Sequence, residues 1–229
     1  MESFEPLFTI AIGGIKVGIT SSIIVQWVII AALLILAKFF TADMKKLPNK
    51  KQGSVEVLVE AVTNFVKENM GPEYVNYMPY VGTLAIYLLV MNIVPASLGV
   101  RAPTEDLSVA IGLAIISFIL IQANGIQKGG IKGYITKYAE PAVPLLPLNI
   151  LERLVLPVSL SLRLFGNMTA GAVIVSMVYG GLSHLAWFSE LIIPIPLHAF
   201  FDLFDGSIQM IVFVMLTMMN IKVTAEHEI

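Results

Sequence analysis

The sequence predicts an all-α integral membrane protein, and three observations carry that prediction. Hydrophobic residues make up 57% of the 229 and charged residues only 13%, against a soluble norm of about 25% charged. Apolar runs of spanning length recur at residues 17–40, 80–100, 107–127, 148–182 and 191–222, and each can cross about 30 Å of hydrocarbon at 1.5 Å per residue. Lysines gather in alternate connections, as they do when helices thread back and forth through one bilayer. The expected architecture is five membrane helices plus an interfacial amphipathic helix in a single integral domain of residues 1–229, the last two helices forming a long, strongly tilted hairpin.

The composition also excludes functions. Such a chain has no room for a separate soluble catalytic domain. Its net charge of -2 gives no electrostatic basis for binding nucleic acid. Cysteine is absent, which removes disulfides, thiolate metal sites and cysteine nucleophiles. No His-Glu-x-x-His zinc signature occurs.

The chain opens Met1-Glu2-Ser3-Phe4-Glu5-Pro6, acidic where a signal peptide is basic, so the first span is expected to be retained. That span, residues 17–40, ends in a loop with Lys38, Lys45, Lys46, Lys50 and Lys51. The positive-inside rule makes this loop cytoplasmic and the amino terminus external. In residues 54–70, Val55, Leu58, Val59, Val62, Phe65 and Val66 form one helical face with Glu56, Glu60, Lys67 and Glu68 around it, the pattern of a helix lying at the interface. Gly71-Pro72 should stop it.

The second span, residues 80–100, contains Pro95, and the short connection Arg101-Ala102-Pro103-Thr104-Glu105-Asp106 holds one basic residue, as an external loop should. After the third span, Lys128, Lys132 and Lys137 lie in a glycine-rich segment expected inside. No Gly-Lys-Ser/Thr follows those glycines, so they are not read as a phosphate cradle. The external loop 183–190 should join the last two spans. The tail from Lys222 should be cytoplasmic.

The run 148–182 is organised around Arg163, with no carboxylate between Glu152 and Glu190. A guanidinium at mid-membrane costs about 2.5–3.5 kcal/mol on insertion scales and cannot lose its proton. As one helix this run would measure roughly 52 Å, so it must tilt, bend or lie partly along the membrane. Ser159, Arg163, Asn167, Ala170 and Gly171 share a helical face. Gly166, Ala170 and Gly171 would admit a close helix, while Ser159 and Asn167 could hold the guanidinium without cancelling its charge.

In the last run, His198, Asp202, Asp205 and Gln209 are spaced four, three and four and predict a second polar stripe on one face. Intramembrane acids of this kind mark ion paths. A short connection should bring the two runs together as an antiparallel pair, with Gly206 allowing close approach.

These residues resemble subunit a of the membrane (Fo) sector of bacterial F-type ATP synthases. The resemblance rests on Leu162-Arg163-Leu164-Phe165-Gly166-Asn167-Met168 with Ala170-Gly171, on residues 208–217 around Gln209, and more weakly on Pro103-Thr104-Glu105-Asp106-Leu107. It implies a stator subunit in the bacterial inner membrane, without a cofactor or metal and not catalytic by itself. Its implied partners are a ring of c subunits, the b-subunit peripheral stalk and membrane lipid. Protons, or sodium ions in their place, would cross by two half-channels, with Arg163 facing the ring carboxylate and Gln209 near it. Two departures stand out. Ala172 occupies a position often acidic or histidine in the family, and Asp202 stands where glutamate or histidine is frequent, with Asp205 adding another acid.

A secondary ion transporter is the competing reading, but it would be expected to show paired internal repeats. An intramembrane transferase is weaker still. Asp202-Leu203-Phe204-Asp205-Gly206 resembles the start of the CDP-alcohol phosphotransferase motif, but Ser207-Ile208-Gln209-Met210 does not continue it.

Overall fold

The computed structural model describes residues 8–12, 15–42, 44–45, 49–137, 143–182 and 193–226. The predicted 183–190 connection and the tail from His227 lie outside these residues. Among the described residues, five helical segments are long and apolar enough to cross a membrane: Ser21–Thr41, Pro72–Pro95, Leu107–Lys128, Leu146–Leu182 and Ile195–Ala225.

Ahead of the first helix stands an unexpected antiparallel pair, β1 (Phe8–Ile12) and β2 (Ile15–Ile19), with Phe8 opposite Ile19. Val17 to Ile19, placed by hydropathy in the first span, therefore belong to a strand. Branched residues at 15, 17 and 19 alternate with Lys16 and Gly18, and that period of two outweighs their simple hydrophobicity.

Helix α1 (Ser21–Thr41) follows extended Thr20. Only Ser22 and Ile29 of α1 are buried, while Trp27, Leu34, Ile35 and Phe39 stand exposed. A helix apolar on all sides, with so little of this chain packed around it, suits the hydrocarbon of a membrane. Helix α2 (Lys50–Met70) is amphipathic and is not one of the five candidate spans. Its second half buries Val66 and Met70, whereas Val57, Leu58 and Val59 project outward. Only part of the predicted apolar face is thus covered by protein. Gly71, at φ 112°, ends α2 and gives its N–H to the Lys67 carbonyl, a backbone conformation open to glycine.

A 3-10 turn (Pro72–Tyr77) leads into α3 (Met78–Ser97), which includes Pro95. Helix α4 (Leu107–Lys137) is kinked at Gly130, whose φ of 68° is non-helical, so the glycine-rich segment read as a connection breaks the helix and a further helical stretch follows it. Asp106 starts α4 as its N-cap: Oδ1 accepts the Ser108 N–H at 3.0 Å, while Oδ2 accepts the Thr20 hydroxyl at 3.2 Å. One carboxylate thereby joins the beginnings of α1 and α4.

Helix α5 (Leu146–Leu182) runs through Pro157 as a single helix. Its 37 residues make roughly 55 Å at 1.5 Å each, far more than a perpendicular crossing needs. The C-terminal run has three parts: α6 (Pro194–His198), a π-helical turn (Ala199–Asp205) and α7 (Gly206–Glu226).

Helix α4 packs against both α5 and α7. It turns Val109, Ala110, Leu113, Ala114, Ser117 and Ile121 inward, a stripe at helical spacing whose small members let the neighbouring helices approach. Leu160 and Leu164 of α5 meet this core with Phe213, Val214, Met218 and Ile221 of α7. Burial of Leu164 beside Arg163 fixes the rotation of α5. The core takes one side of the helix and leaves the arginine side at its edge.

Candidate functional site

Arg163 is half-buried in the middle of α5. Among the described residues its guanidinium makes no hydrogen bond and no ion pair. The buried stripe of α5 runs through Leu160, Leu164, Met168, Gly171 and Val175. Ser159, Leu162, Gly166, Asn167 and Ala170 are exposed. No atom lies within 4 Å of where a Gly166 Cβ would stand, so the small-residue face is open beside the charge.

Asn167 was expected to hold the guanidinium, but its Nδ2 instead donates to Gln209 Oε1 at 2.7 Å. Ser159 is exposed and makes no hydrogen bond to Arg163. The amide pair forms because Gln209, at 1% exposure, needs an internal donor once buried. Gln209 Nε2 stays buried without a hydrogen-bond partner among the described residues.

Several contacts set α5 against the C-terminal run, among them the Arg153 guanidinium donating to the Thr224 hydroxyl at 2.6 Å and three nearer the site. Asn167 meets Gln209; a Cβ on Gly171 would come within 3.2 Å of the Phe201 ring; and Tyr179 Oη lies 3.4 Å from His198 Nε2. Residue numbers rise along α5 as they fall along its partner, so the two are antiparallel. The arginine-bearing helix and the second polar stripe do come together. Gly171 is the glycine that permits this approach.

The stripe is not one straight α-helical row. The Gly206 N–H reaches the Phe201 carbonyl five residues back, the spacing of a π turn, which breaks the α-helical register across the segment. On its near side, His198 Nδ1 lies 2.6 Å from Asp202 Oδ2. On its far side Gln209 faces α5. Asp205, half-buried between them, makes no hydrogen bond among the described residues. Gly206 serves α3 rather than α5, since a Cβ there would fall 3.1 Å from Asn92 Cβ.

The family model described as ATP synthase A chain matches residues 23–222. The chain belongs to this family. It is 36% identical over 203 residues to ATP synthase subunit a of Moorella thermoacetica, with 88% of each chain covered. Against ATP synthase subunit a 2 of a Bradyrhizobium species it is 34% identical over 200 residues, covering 87% of this chain and 86% of that one. It is also 29% identical over 237 residues to the sodium ion specific ATP synthase subunit a of Propionigenium modestum, covering 97% and 80% respectively. The family match contains all the site residues and begins after the β1–β2 pair.

Around the site the structure adds residues that the motifs did not single out. Asn92, fully buried in α3, donates through Nδ2 to the Gly206 carbonyl at 3.0 Å and accepts the Thr104 hydroxyl through Oδ1 at 2.9 Å. Its signal was visible as a lone amide in an otherwise apolar span. Losing that amide would strand a buried carbonyl and a buried hydroxyl, at about 1–3 kcal/mol each. Tyr179, beside His198, carried no comparable signal. Glu105 lies within Coulombic reach of Asp202, a proximity that sequence separation conceals.

Proposed function

We propose that this chain is the ion-translocating stator of a bacterial F-type ATP synthase membrane sector, seated against a ring of c subunits and held by the b-subunit stalk. It makes and breaks no covalent bond. One observation carries the reading: a permanent cation, unpaired among the described residues, sits on an open small-residue face in the middle of a spanning helix too long to cross upright. Its missing anion is supplied by the ring.

At about 4 Å and an effective dielectric of about 20, a cation attracts a carboxylate by roughly 4 kcal/mol. A ring carboxylate passing Arg163 therefore favours its ionised form and releases its ion. The guanidinium has no proton to relay, so ions cannot pass directly from one half-channel to the other. Each ion must travel with the ring, and about 2.3 kcal/mol per charge per 100 mV becomes available as torque. His198, Asp202 and Asp205 provide the external half-channel. Asn167 and Gln209 hold the two long helices together beside the arginine. The translocated ion is a proton or a sodium ion, and the amino terminus is external with the carboxy terminus cytoplasmic.

Cysteine cross-linking tests the contact. Asn167→Cys and Ala170→Cys, on the open face, should each form a disulfide with a cysteine placed near the c-subunit carboxylate. Ile35→Cys, exposed on α1, should not. Gln209→Cys should react poorly because the position is buried between helices. Cross-links confined to Ile35 would put the ring on the opposite side.

A further inference from the structure

We propose that Glu105, on the turn between α3 and α4, is the carboxylate through which the translocated ion reaches Asp202, taking the place of the acid absent at Ala172. The inference rests on the stator reading above and adds a residue from a separate element to the ion path.

The turn holding Glu105 is firmly placed. Ala102, Pro103 and Thr104 are buried, and the 3-10 turn of Pro103–Glu105 packs against α5, α4 and α1. Thr104 bonds Asn92, and Asn92 bonds the Gly206 carbonyl. Gly206 directly follows the π turn that carries Asp202 and Asp205. Two hydrogen bonds at 2.9 and 3.0 Å thus connect the Glu105 turn to the end of the acidic segment.

The adjacent acids Glu105 and Asp106 have different occupations. Both oxygens of Asp106 are engaged, one by the Ser108 N–H and the other by the Thr20 hydroxyl. Glu105 uses only Oε1, which accepts the Ala102 N–H at 3.2 Å. Its Oε2 makes no hydrogen bond among the described residues, and the side chain is only partly buried. Asp106 builds the helix start, while Glu105 keeps an oxygen available.

Burial holds the Glu105 carboxyl above the usual carboxylate range, opposed by the Ala102 N–H and Arg101, and the Asp202 charge pushes it in the same direction as burial. A carboxylate so placed takes up a proton from water more readily than an exposed one. With a proton as the ion, Glu105 Oε2 gains it from external water and passes it to the Asp202 carboxylate, directly or through water, returning to its anion. With sodium, the same two carboxylates attract the cation in succession.

The test uses the complete complex reconstituted in vesicles, with ATP-driven lumen acidification and radioactive sodium uptake followed in parallel. Glu105→Gln should slow transport of the driven ion by about tenfold or more, less than the roughly hundredfold loss expected for a group that acts at the reacting step itself, because water can still reach Asp202. Glu105→Asp should retain most transport, and Ala172→Glu added to Glu105→Gln should recover part of it. Native transport by Glu105→Gln would overturn the proposal. Equal losses in the Gln and Asp variants, without rescue from Ala172→Glu, would also overturn it by reducing Glu105 to a structural role. Arg163→Ala separates the two levels. If that variant pumps normally, the stator reading itself fails; if it is inactive while Glu105→Gln is native, only the role of Glu105 fails.

Discussion

Replacing Arg163 with alanine should abolish ion-driven ATP synthesis by the assembled complex, and Arg163→Lys should fail nearly as badly. The native guanidinium is half-buried on the open side of α5, with no carboxylate paired to it among the described residues. In the proposed function its effect on a passing ring carboxylate would be about 4 kcal/mol, or roughly a thousandfold in the ratio of ionised to neutral forms. Alanine removes that preference, and the ring carboxylate then keeps its ion as it passes. Lysine keeps a charge but presents a single point donor on a flexible stem, and an ammonium can lose its proton when buried. Helix packing should survive both changes, since Leu160 and Leu164 anchor α5 from the other side. ATP synthesis under an imposed ion gradient, measured on vesicles with native amounts of this subunit, checks the outcome.

The second large effect should come from Asp202. The carboxylate lies 2.6 Å from His198 Nδ1, and His198 Nε2 lies 3.4 Å from Tyr179 Oη. Asp202 therefore belongs to a short polar chain reaching from the π turn to α5. Asp202→Asn leaves a side chain of nearly the same size that can no longer accept and pass a proton or balance a cation. Ion flux should fall about a hundredfold, in the usual range for losing a positioned acid or base, without loss of assembly. Asp205→Asn should be milder, because Asp205 makes no hydrogen bond among the described residues. Ala172→Glu should partly restore the Asp202→Asn variant, since contact between Gly171 and Phe201 brings the two positions to the same level. Passive flux through the membrane sector provides the measurement, and unchanged flux in Asp202→Asn, Asp205→Asn would show that ions enter elsewhere.

Sequence patterns make the spanning helices visible because hydrocarbon thickness prescribes how many apolar residues each needs. They also bring out the arginine face and the polar stripe, since residues three and four apart share a helical face. Features that depend on partners distant in sequence are less visible. Val17 and Ile19 are apolar enough for a membrane helix, but their alternation puts them in β2. The π turn carries no compositional mark, so the spacing of His198 and Gln209 suggests a straighter row than the chain forms. Asn167 looks like a companion for Arg163 one turn away, until a buried Gln209 competes for its amide. Asn92, Thr104 and Gly206 lie on three separate segments, and only folding unites them.

The central claim is that ions cross only when carried by the moving ring, and a reversible lock tests it most directly. A disulfide between Ala170→Cys and a c-subunit cysteine would immobilise the ring in a membrane sector whose passive ion flux is monitored. The account predicts that flux falls to the protein-free background when the disulfide forms and returns when it is reduced. Undiminished flux through the locked sector would contradict it, because ions would then be crossing beside Arg163 without rotation.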